Sequence, residues 1–391
     1  MPHDPVSHSD RRAAVASRGF YHCTVAGIEG DGNGSLRAGQ YTLLQTPEFV
    51  AELHQKLEAA SHRILIQLMT FDGDESGQGI ADQLLAAAGR GVKVQLLIDS
   101  FATRFVSDLP ITDPTVRDEA AATFAMYDRL REGGVDLTFT HPIGPVLLYA
   151  LARNHKKLFV IDDDVFLGGI NVSDHNFEWH DFMIRIDDDE IRHSVVEDFE
   201  FTQAGGRRSV NGGIITNAEV EQVFDDMLLG ARKSVVLASP YAIDVPLTRR
   251  MRKVTAPDVR VITTKHSNLL VYRRMSPYLR WRLRRSGAKL ESYTNFSHSK
   301  FLLVDDEKLL VGSSNFGRHS FWCNEEICIL ITDPDFIAEF KATLLDSTES
   351  IGGWFNPVTI SFGALVSWLF YGAVVGLRYT VASRVPNLSS R

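Results

Sequence analysis

The chain contains two copies of a pattern in which a His is followed by a Lys two residues later and by an Asp five residues beyond the Lys. The copies are His155, Lys157 and Asp162, and His298, Lys300 and Asp305. A neutral imidazole can attack phosphorus, and a protonated imidazole can donate a proton to a departing oxygen. Lysine offers phosphate oxygens a compact positive charge. The pattern therefore predicts phosphoryl-group chemistry in which side chains, without a metal, hold the developing charge.

An Asn follows each copy inside a Gly- or Ser-rich corner, Asn171 in GGIN and Asn315 in GSSN. An amide supplies neutral donors to phosphate oxygens. One such pattern among 13 histidines would arise by chance in roughly one chain in twenty, but two copies with matching corners in fewer than ~1 in 10⁴. The matched pair therefore favours a site over two unrelated structural histidines.

The residues around each pattern predict the strands that position it. Residues i and i+2 of a strand share a face, so His and Lys project together. The four positions between Lys and Asp are LFVI and FLLV, which is typical of a strand buried on both faces. In the first half we predict helices over 48–60 and 79–88 and strands over 63–69 and 92–99; in the second, helices over 218–231 and 278–286 and strands over 234–238 and 259–263.

This internal repeat predicts an α/β fold of two sandwich halves, each with a mixed or parallel sheet. We divide the chain into a loose leader (1–40), a first domain (41–200), a polar linker (201–213), a second domain (214–345) and an apolar C-terminal segment (346–391).

Composition excludes several other classes of protein. The 391 residues are 44% hydrophobic and 23% charged, with a formal net charge of −8. These values exclude wholesale disorder, a collagen-like fibre and a polytopic membrane protein. Three cysteines in a chain of this size fit a reducing compartment. The first twenty residues carry no apolar run of signal-peptide length, so no secretory signal is expected.

Two segments suggest contact with a membrane surface. Residues 360–377 form an uncharged apolar run of 18 residues, at the lower limit for spanning a bilayer. The alternative is a buried C-terminal helix that packs on the catalytic body. Residues 249–289 hold thirteen basic residues and one acid, which would suit anionic headgroups, although a solvated helix face or a nucleic-acid surface would carry the same charge. The basic residues after the run favour a cytosolic C-terminus, so a full span would place the large N-terminal body outside. A monotopic helix or short hairpin in the cytosolic leaflet avoids that conflict.

Over about residues 40–345 the sequence resembles the phospholipase D superfamily, which is marked by two His-Lys-Asp motifs. It is most similar to the bacterial cardiolipin synthase and phosphatidyltransferase branch, through GVKVQLLID, GGIN, SPY at 239–241 and SSNFGRHSFWCNEE. The resemblance implies two α/β/α-sandwich halves with one active site at their pseudo-dyad, a covalent phosphohistidine intermediate, and neither a metal nor another cofactor.

The resemblance also implies roles for individual residues. His155 would be the nucleophile and His298 the general acid and then base, although the sequence alone does not distinguish the two. The phosphate would be held by four residues: Lys157, Lys300, Asn171 and Asn315. Asp181 and Glu326 stand where the family carries carboxylates that orient the imidazole of the opposite half. Asp162 and Asp305 complete the catalytic motif, but their place after the strand favours a structural role in closing a turn.

The predicted function is a phosphatidyltransferase that forms cardiolipin or a related phospholipid. Its partners would be phospholipid substrates and a membrane surface, and the location the cytoplasmic side of a bacterial inner membrane. Nucleic acid is not expected as a partner. Three alternatives remain open: a phospholipase D that yields phosphatidic acid, a nuclease or other soluble phosphodiesterase, and a catalytically silent membrane-binding protein.

Overall fold

The computed structural model describes residues 40–103, 116–142, 152–206, 210, 212–241, 244–265, 267, 270–352 and 356–370. The predicted leader therefore lies outside the described residues, apart from its last position. The same holds for residues 207–209 and 211 of the predicted linker.

The first half is built on a seven-stranded sheet with the order β1-β7-β6-β5-β2-β3-β4. β2, β3 and β4 are parallel neighbours, and the other pairs are antiparallel. The strands are β1 (Tyr41–Gln45), β2 (Arg63–Leu68), β3 (Lys93–Asp99), β4 (Asp136–Thr140), β5 (Leu158–Ile161), β6 (Asp164–Gly168) and β7 (Phe182–Ile186).

The second half repeats this arrangement in an eight-stranded sheet with the order β15-β11-β10-β9-β12-β13-β14-β8. Its strands are β8 (Ile215–Thr216), β9 (Ser234–Ala238), β10 (Asp258–Ile262), β11 (Lys289–Ser292), β12 (Phe301–Val304), β13 (Lys308–Gly312), β14 (Ile327–Ile331) and β15 (Glu349–Ser350). Read from β8 towards β11, the order and directions match those of the first sheet, and β15 adds an edge strand. The prediction of a mixed α/β fold with two sheets is confirmed.

Helices cover both sheets in the described residues. They are α1 (Thr46–Ala59), α2 (Glu75–Gly89), α3 (Val116–Glu132), α4 (Asp174–Glu178), α5 (Asp189–Gln203), α6 (Ala218–Gly230), α7 (Val245–Met251), α8 (Leu270–Arg284), α9 (Arg318–Cys323), α10 (Pro334–Leu344) and α11 (Pro357–Ser367).

One hydrophobic core joins the two halves. Side chains of β5, β6 and β7 pack with those of β12, β13 and β14 in a single buried cluster, which α5 and α10 also enter. The ring of Phe182 lies 6.4 Å from that of Phe301 and 5.3 Å from that of Phe340. Because burial of apolar surface is the main favourable term in folding, this shared core holds the two central hairpins against each other.

The C-terminal helix packs on α8. Gly363 makes the contact possible, since a Cβ there would lie 3.0 Å from the carbonyl oxygen of Arg274 and 3.0 Å from Cβ of Tyr278. No helix in the described part of the chain combines the length and apolar composition needed to cross a bilayer. Residues 371–377 of the predicted apolar run lie outside the described residues.

Candidate active site

The two motifs enter the shared core as extended segments just before β5 and β12. The amide of His155 donates to the carbonyl of Glu325 at 2.9 Å, and the amide of His298 donates to the carbonyl of His180 at 2.9 Å. Each motif is therefore tied by its backbone to the other half. This pairing brings the residue after each acceptor, Glu326 or Asp181, beside an imidazole.

A carboxylate from the opposite half contacts each motif histidine. Nδ1 of His155 lies 2.9 Å from Oε2 of Glu326, and Nδ1 of His298 lies 3.0 Å from Oδ2 of Asp181. All four side chains are buried. Because an ionised carboxylate only accepts hydrogen bonds, each contact favours the tautomer with its hydrogen on Nδ1. Nε2 of each ring is then the atom that can attack or exchange a proton.

Both imidazoles are held in the neutral form. Burial lowers the pKa of His155 to about 4. The charge of Glu326 acts in the opposite direction, and the charge of Lys157 lowers the pKa further. Burial and then the charge of Lys300 lower the pKa of His298 to about 3. Burial opposes ionisation of Asp181 and Glu326, but the nearby Lys and His side chains outweigh it and hold both pKa values below the ordinary range.

The two motif lysines are fully buried beside the histidines. Nζ of Lys157 donates to the carbonyl of His155 at 2.8 Å, and Nζ of Lys300 donates to that of His298. Burial and repulsion by Lys300 lower the pKa of Lys157 to about 7, and burial lowers that of Lys300 to about 8. With pKa values this close to neutral pH, the two buried lysines are only partly protonated. A bound anion would stabilise their charged form.

Lys300 also lies 2.8 Å from Nδ1 of His298, and its Nζ is 3.8 Å from Oδ2 of Asp181. The ring nitrogen cannot donate to Asp181 and accept from Lys300 at once. The carboxylate needs the ring hydrogen, so we assign the hydrogen bond to Asp181. Lys300 then acts on the ring through its charge.

The two motif asparagines differ in their contacts. Oδ1 of Asn171 accepts from the amide of Thr70 at 3.3 Å, and the side chain is buried. Oδ1 of Asn315 is buried and accepts no hydrogen bond from the described residues. Its backbone is fixed instead, since Ser239 donates to its carbonyl at 3.0 Å and its amide donates to Ser320 at 3.2 Å.

Asp162 and Asp305 lie at the far ends of β5 and β12, in the turns to β6 and β13. The carboxylate of Asp162 accepts hydrogen bonds from the amides of Ser61, His62 and Arg63 at 2.8 to 3.0 Å. That of Asp305 accepts from the amides of three residues in the second half: Arg232, Lys233 and Ser234. Each Asp thus ties a central hairpin to the start of the neighbouring strand, and the whole strand separates it from the histidine.

The two carboxylates that contact the histidines, Glu326 and Asp181, have different surroundings. The sequence reasoning missed this difference. Glu326 accepts from the hydroxyl of Ser313 at 2.5 Å, whereas Gly169 follows the equivalent strand in the first half. A Cβ on Gly169 would lie 2.4 Å from an oxygen of Asp181. In the sequence this difference shows as the second Gly of GGIN against the first Ser of GSSN.

Aromatic rings flank His298, and these were also missed. The ring of Trp179 lies 5.1 Å from the imidazole, and that of Tyr241 lies 5.9 Å away in an edge-on arrangement. Tyr241 belongs to the SPY segment, and Trp179 comes two residues before Asp181. Both positions were visible in the sequence, but no spacing rule connects them with His298.

One cluster in the described residues has the composition of a cation site. Ligand-type atoms of Asp72, Asp74 and His175 lie within 4.8 Å of one another. Asp74 is already engaged, since it accepts from the amide of Gly77 as the N-cap of α2 and from the amide of Asp174.

Comparison with known proteins identifies the family. The sequence profile described as "Cardiolipin synthase, PLD-like domain" matches residues 53–202 and 224–346. Cardiolipin synthase 1 of Bacillus anthracis is 24% identical over 405 residues, which cover 92% of this chain and 76% of that protein. The major cardiolipin synthase ClsA of Bacillus subtilis is 28% identical, with coverage of 75% of this chain and 66% of that protein.

A solved structure shares the fold. The phosphatidylserine synthase of Haemophilus influenzae superposes with a TM-score of 0.68 at 17% identity, covering 88% of this chain and 96% of that one. The profile match contains both His-Lys-Asp motifs and all strands of the two sheets except β1, β8 and β15. The chain therefore belongs to the cardiolipin synthase family of phospholipase D-like proteins.

Proposed function

We propose that this chain is a phosphatidyltransferase that forms cardiolipin or a related phospholipid through a phosphohistidine intermediate. The observation that carries the proposal is the crossed pairing of His155 with Glu326 and of His298 with Asp181, beside two buried lysines. Such a site offers two oriented imidazoles and positive charge for a phosphodiester. Relatives named as cardiolipin synthases, and a structural neighbour named as a phosphatidylserine synthase, support a phosphatidyl group as the group transferred.

The reaction would proceed in two displacements at phosphorus. Nε2 of His155 attacks the phosphodiester and forms a nitrogen–phosphorus bond, while the bond from phosphorus to the first alcohol oxygen breaks. Protonated His298 gives its proton to that oxygen. The hydroxyl of the second lipid then returns a proton to His298 and attacks phosphorus, which releases His155. Lys157, Lys300 and the two motif asparagines would bind the phosphoryl oxygens throughout.

His298 would take up its proton from solvent when the substrate binds. In the free protein both rings are neutral at pH 7, since their pKa values lie at about 4 and 3. A bound phosphodiester places a negative charge near the rings, and an opposite charge raises the pKa of an imidazole. Substrate binding is therefore expected to take up a proton, with Asp181 stabilising the imidazolium.

The equivalent strand orders support a pseudo-dyad between the halves 41–200 and 214–345, with the site on that axis. Each half supplies one histidine, one lysine and the carboxylate for the other half's histidine. Two similar halves that meet at one site suit a reaction in which leaving alcohol and entering alcohol are chemically alike.

We also propose that α11 and α8 seat the protein on the cytoplasmic face of a bacterial inner membrane. Large apolar side chains of α11 and the turn after it are strongly exposed: Val358 at 75%, Phe362 at 49%, Leu365 at 53%, Trp368 at 67% and Leu369 at 48%. The basic residues Arg273, Arg274, Arg284 and Arg285 of α8 and its C-terminal end are exposed as well. Apolar side chains beside basic ones match the interface of an anionic bilayer.

Product analysis tests the proposed function. The purified protein is incubated with phosphatidylglycerol in mixed micelles with chelator, and the lipids are identified by mass spectrometry. We expect cardiolipin and glycerol, and no product from His155→Ala or His298→Ala. Phosphatidic acid as the sole product would make the protein a phospholipase. Turnover of a DNA diester without any lipid product would overturn the proposal in favour of a nuclease.

A further inference from the structure

A row of aromatic rings runs from the imidazole of His298 to the turn after α11. The ring of Tyr241 meets the imidazole of His298 edge-on, with centroids 5.9 Å apart. The ring of Tyr272 lies 4.9 Å from that of Tyr241, and the ring of Phe370 lies 6.1 Å from that of Tyr272. We call Tyr241, Tyr272 and Phe370 the aromatic ladder.

The ladder is assembled from two parts of the second half and one part of the C-terminal segment. Tyr241 follows β9, Tyr272 lies in the first turn of α8, and Phe370 lies in the helical turn after α11. All three residues are half-buried, and Tyr272 and Phe370 also pack against the hydrophobic core of the second half. The three rings are in contact in series, so whatever part of them is exposed forms one apolar stripe.

The outer end of the ladder adjoins the exposed apolar face of α11. Phe370 directly follows Trp368 and Leu369, which are 67% and 48% exposed. Its own ring turns the other way, towards Tyr272 and His319. The ladder therefore joins the apolar surface that we assign to the membrane with the imidazole that we assign to proton transfer.

We propose that the aromatic ladder is the path along which an acyl chain of the lipid substrate lies while its phosphodiester reaches His298. This inference rests on the proposed function and names the part of the lipid that the site recognises beyond the headgroup. A diacyl lipid must bring its phosphate to a buried polar site without exposing its chains to water, because transfer of apolar surface into water is unfavourable. The three rings in succession would contact the acyl chain and keep it out of water between the membrane surface and His298.

The ladder predicts selectivity for long acyl chains. Short-chain phosphatidylglycerol ends before the outer rings and gains little from them, whereas dioleoyl phosphatidylglycerol contacts the whole row. We expect Tyr272→Ala and Phe370→Ala to lower the ratio of kcat/KM for the dioleoyl lipid to that for the dihexanoyl lipid by about tenfold, equivalent to about 1.4 kcal/mol. Tyr272→Leu and Phe370→Leu keep an apolar side chain, so they are expected to retain most of the dioleoyl-to-dihexanoyl ratio. They also keep the test possible if the alanine variants do not fold.

Two controls separate the ladder from other effects. Phe124→Ala removes a ring that is 42% exposed on α3 in the first half, and it should leave the ratio unchanged. We call the exposed apolar side chains of α11 and the turn after it, together with the exposed arginines of α8, the membrane seat. Vesicle sedimentation with anionic liposomes separates the ladder from this membrane seat. Trp368→Ser is expected to weaken sedimentation, whereas Tyr272→Ala should sediment like the parent protein.

An unchanged ratio in both alanine variants, or an equal loss with both lipids, would overturn the acyl-chain path. A loss of ratio that simply follows a loss of vesicle binding would also overturn it, because the rings would then belong to the membrane seat. Absence of product from either lipid with the parent protein would instead overturn the proposed function, and the path with it.

Discussion

Glu326 lies 171 residues after His155 in the chain, yet its Oε2 is 2.9 Å from Nδ1 of that histidine. The converse contact joins His298 to Asp181 at 3.0 Å. Each imidazole therefore takes its orientation from the half that does not carry it. One half alone lacks a carboxylate for its histidine, so the site exists only when both halves are folded together.

Removing the charge of either carboxylate is expected to slow the reaction while leaving the fold intact. Asp181→Asn and Glu326→Gln keep the size of the side chain but no longer stabilise an imidazolium or select the Nδ1–H tautomer. We expect kcat to fall by about 10²–10⁴-fold for each. Steady-state kinetics and thermal unfolding check this. Asp128→Asn, at a side chain that is 74% exposed, is the matched control. A variant as active as the parent would remove its carboxylate from the mechanism.

Activity is expected to fall on the alkaline side as the buried lysines lose their protons. The pKa values of Lys157 and Lys300 are lowered to about 7 and about 8. Both groups are charged below these values and neutral above them, so binding of an anionic diester weakens as pH rises. We expect kcat/KM to decline through pH 7–8, and kcat to decline at higher pH because bound phosphate raises both pKa values. A kcat/KM that stays flat to pH 9.5 would contradict this assignment.

The motif aspartates are expected to contribute stability rather than chemistry. Burial opposes ionisation of Asp162, but the amides of Arg63, Ser61 and His62 outweigh it and lower its pKa. A lowered carboxyl pKa stabilises the fold above the ordinary Asp pKa, and this contribution is lost as pH falls through the folded-state value. Because this carboxylate is largely open to solvent, Asp162→Ala should cost only about 0.5–1.5 kcal/mol in the free energy of unfolding at pH 7 and less near pH 3.

Urea unfolding at the two pH values measures that difference, and kcat per folded molecule provides the second readout. We expect kcat within about threefold of the parent protein, since the loss acts on the hairpin and not on the reacting groups. A kcat loss as large as that of the histidine variants, with parent-like stability, would place Asp162 in the catalytic machinery.

Lys156 is expected to matter for folding although it lies between two motif residues. Alternation along an extended chain turns its side chain away from the face that carries His155 and Lys157. Its Nζ contacts both oxygens of Asp198 on α5 at 2.8 Å, and both side chains are 1% exposed. Lys156→Met leaves a buried carboxylate without its partner, which costs roughly 3–5 kcal/mol.

Replacement of the whole pair, Lys156→Met with Asp198→Leu, should recover most of that loss, because it removes the unpaired charge. Urea unfolding of the single and double variants measures both effects. A single variant within 1 kcal/mol of the parent would show that Asp198 is not held as a buried ion.

Much of the sheet structure follows from local sequence. The predicted strand 63–69 is β2 (Arg63–Leu68), and the runs LFVI and FLLV are β5 and β12. These strands are buried on both faces of the sheet. An unbroken apolar run is the sequence signal of such a strand, so the same residues predict both the strand and its burial. The repeat of the motifs then predicts that both sheets share one plan.

Helix boundaries were harder to predict. The predicted helix 278–286 is only the second part of α8 (Leu270–Arg284), because Pro277 lies inside this helix and a proline normally marks a helix start. The predicted helix 79–88 starts earlier, at Glu75, because Asp74 caps it by accepting from the amide of Gly77. α3 was not predicted, although its buried residues Thr123, Met126, Tyr127 and Leu130 have helical spacing.

Contacts between distant residues account for what the sequence did not predict in the site. The placement of Trp179 and Tyr241 beside His298 depends on how the halves and loops pack. The pattern of a single segment carries no information on such contacts. The same applies to Ser313, whose hydroxyl reaches Glu326 only because the corner after β13 turns towards β14.

The most direct test of the account is the identity of the histidine that carries the phosphatidyl group. The His298→Asn variant is incubated with a p-nitrophenyl ester of phosphatidic acid, whose leaving group needs no proton, and its peptides are analysed by mass spectrometry. Without His298 to activate an acceptor hydroxyl, the intermediate should accumulate. We predict a phosphatidyl adduct on the peptide that contains His155, and none in His155→Ala. An adduct on His298 in the His155→Ala variant, or parent-like turnover by His155→Ala, would contradict the account.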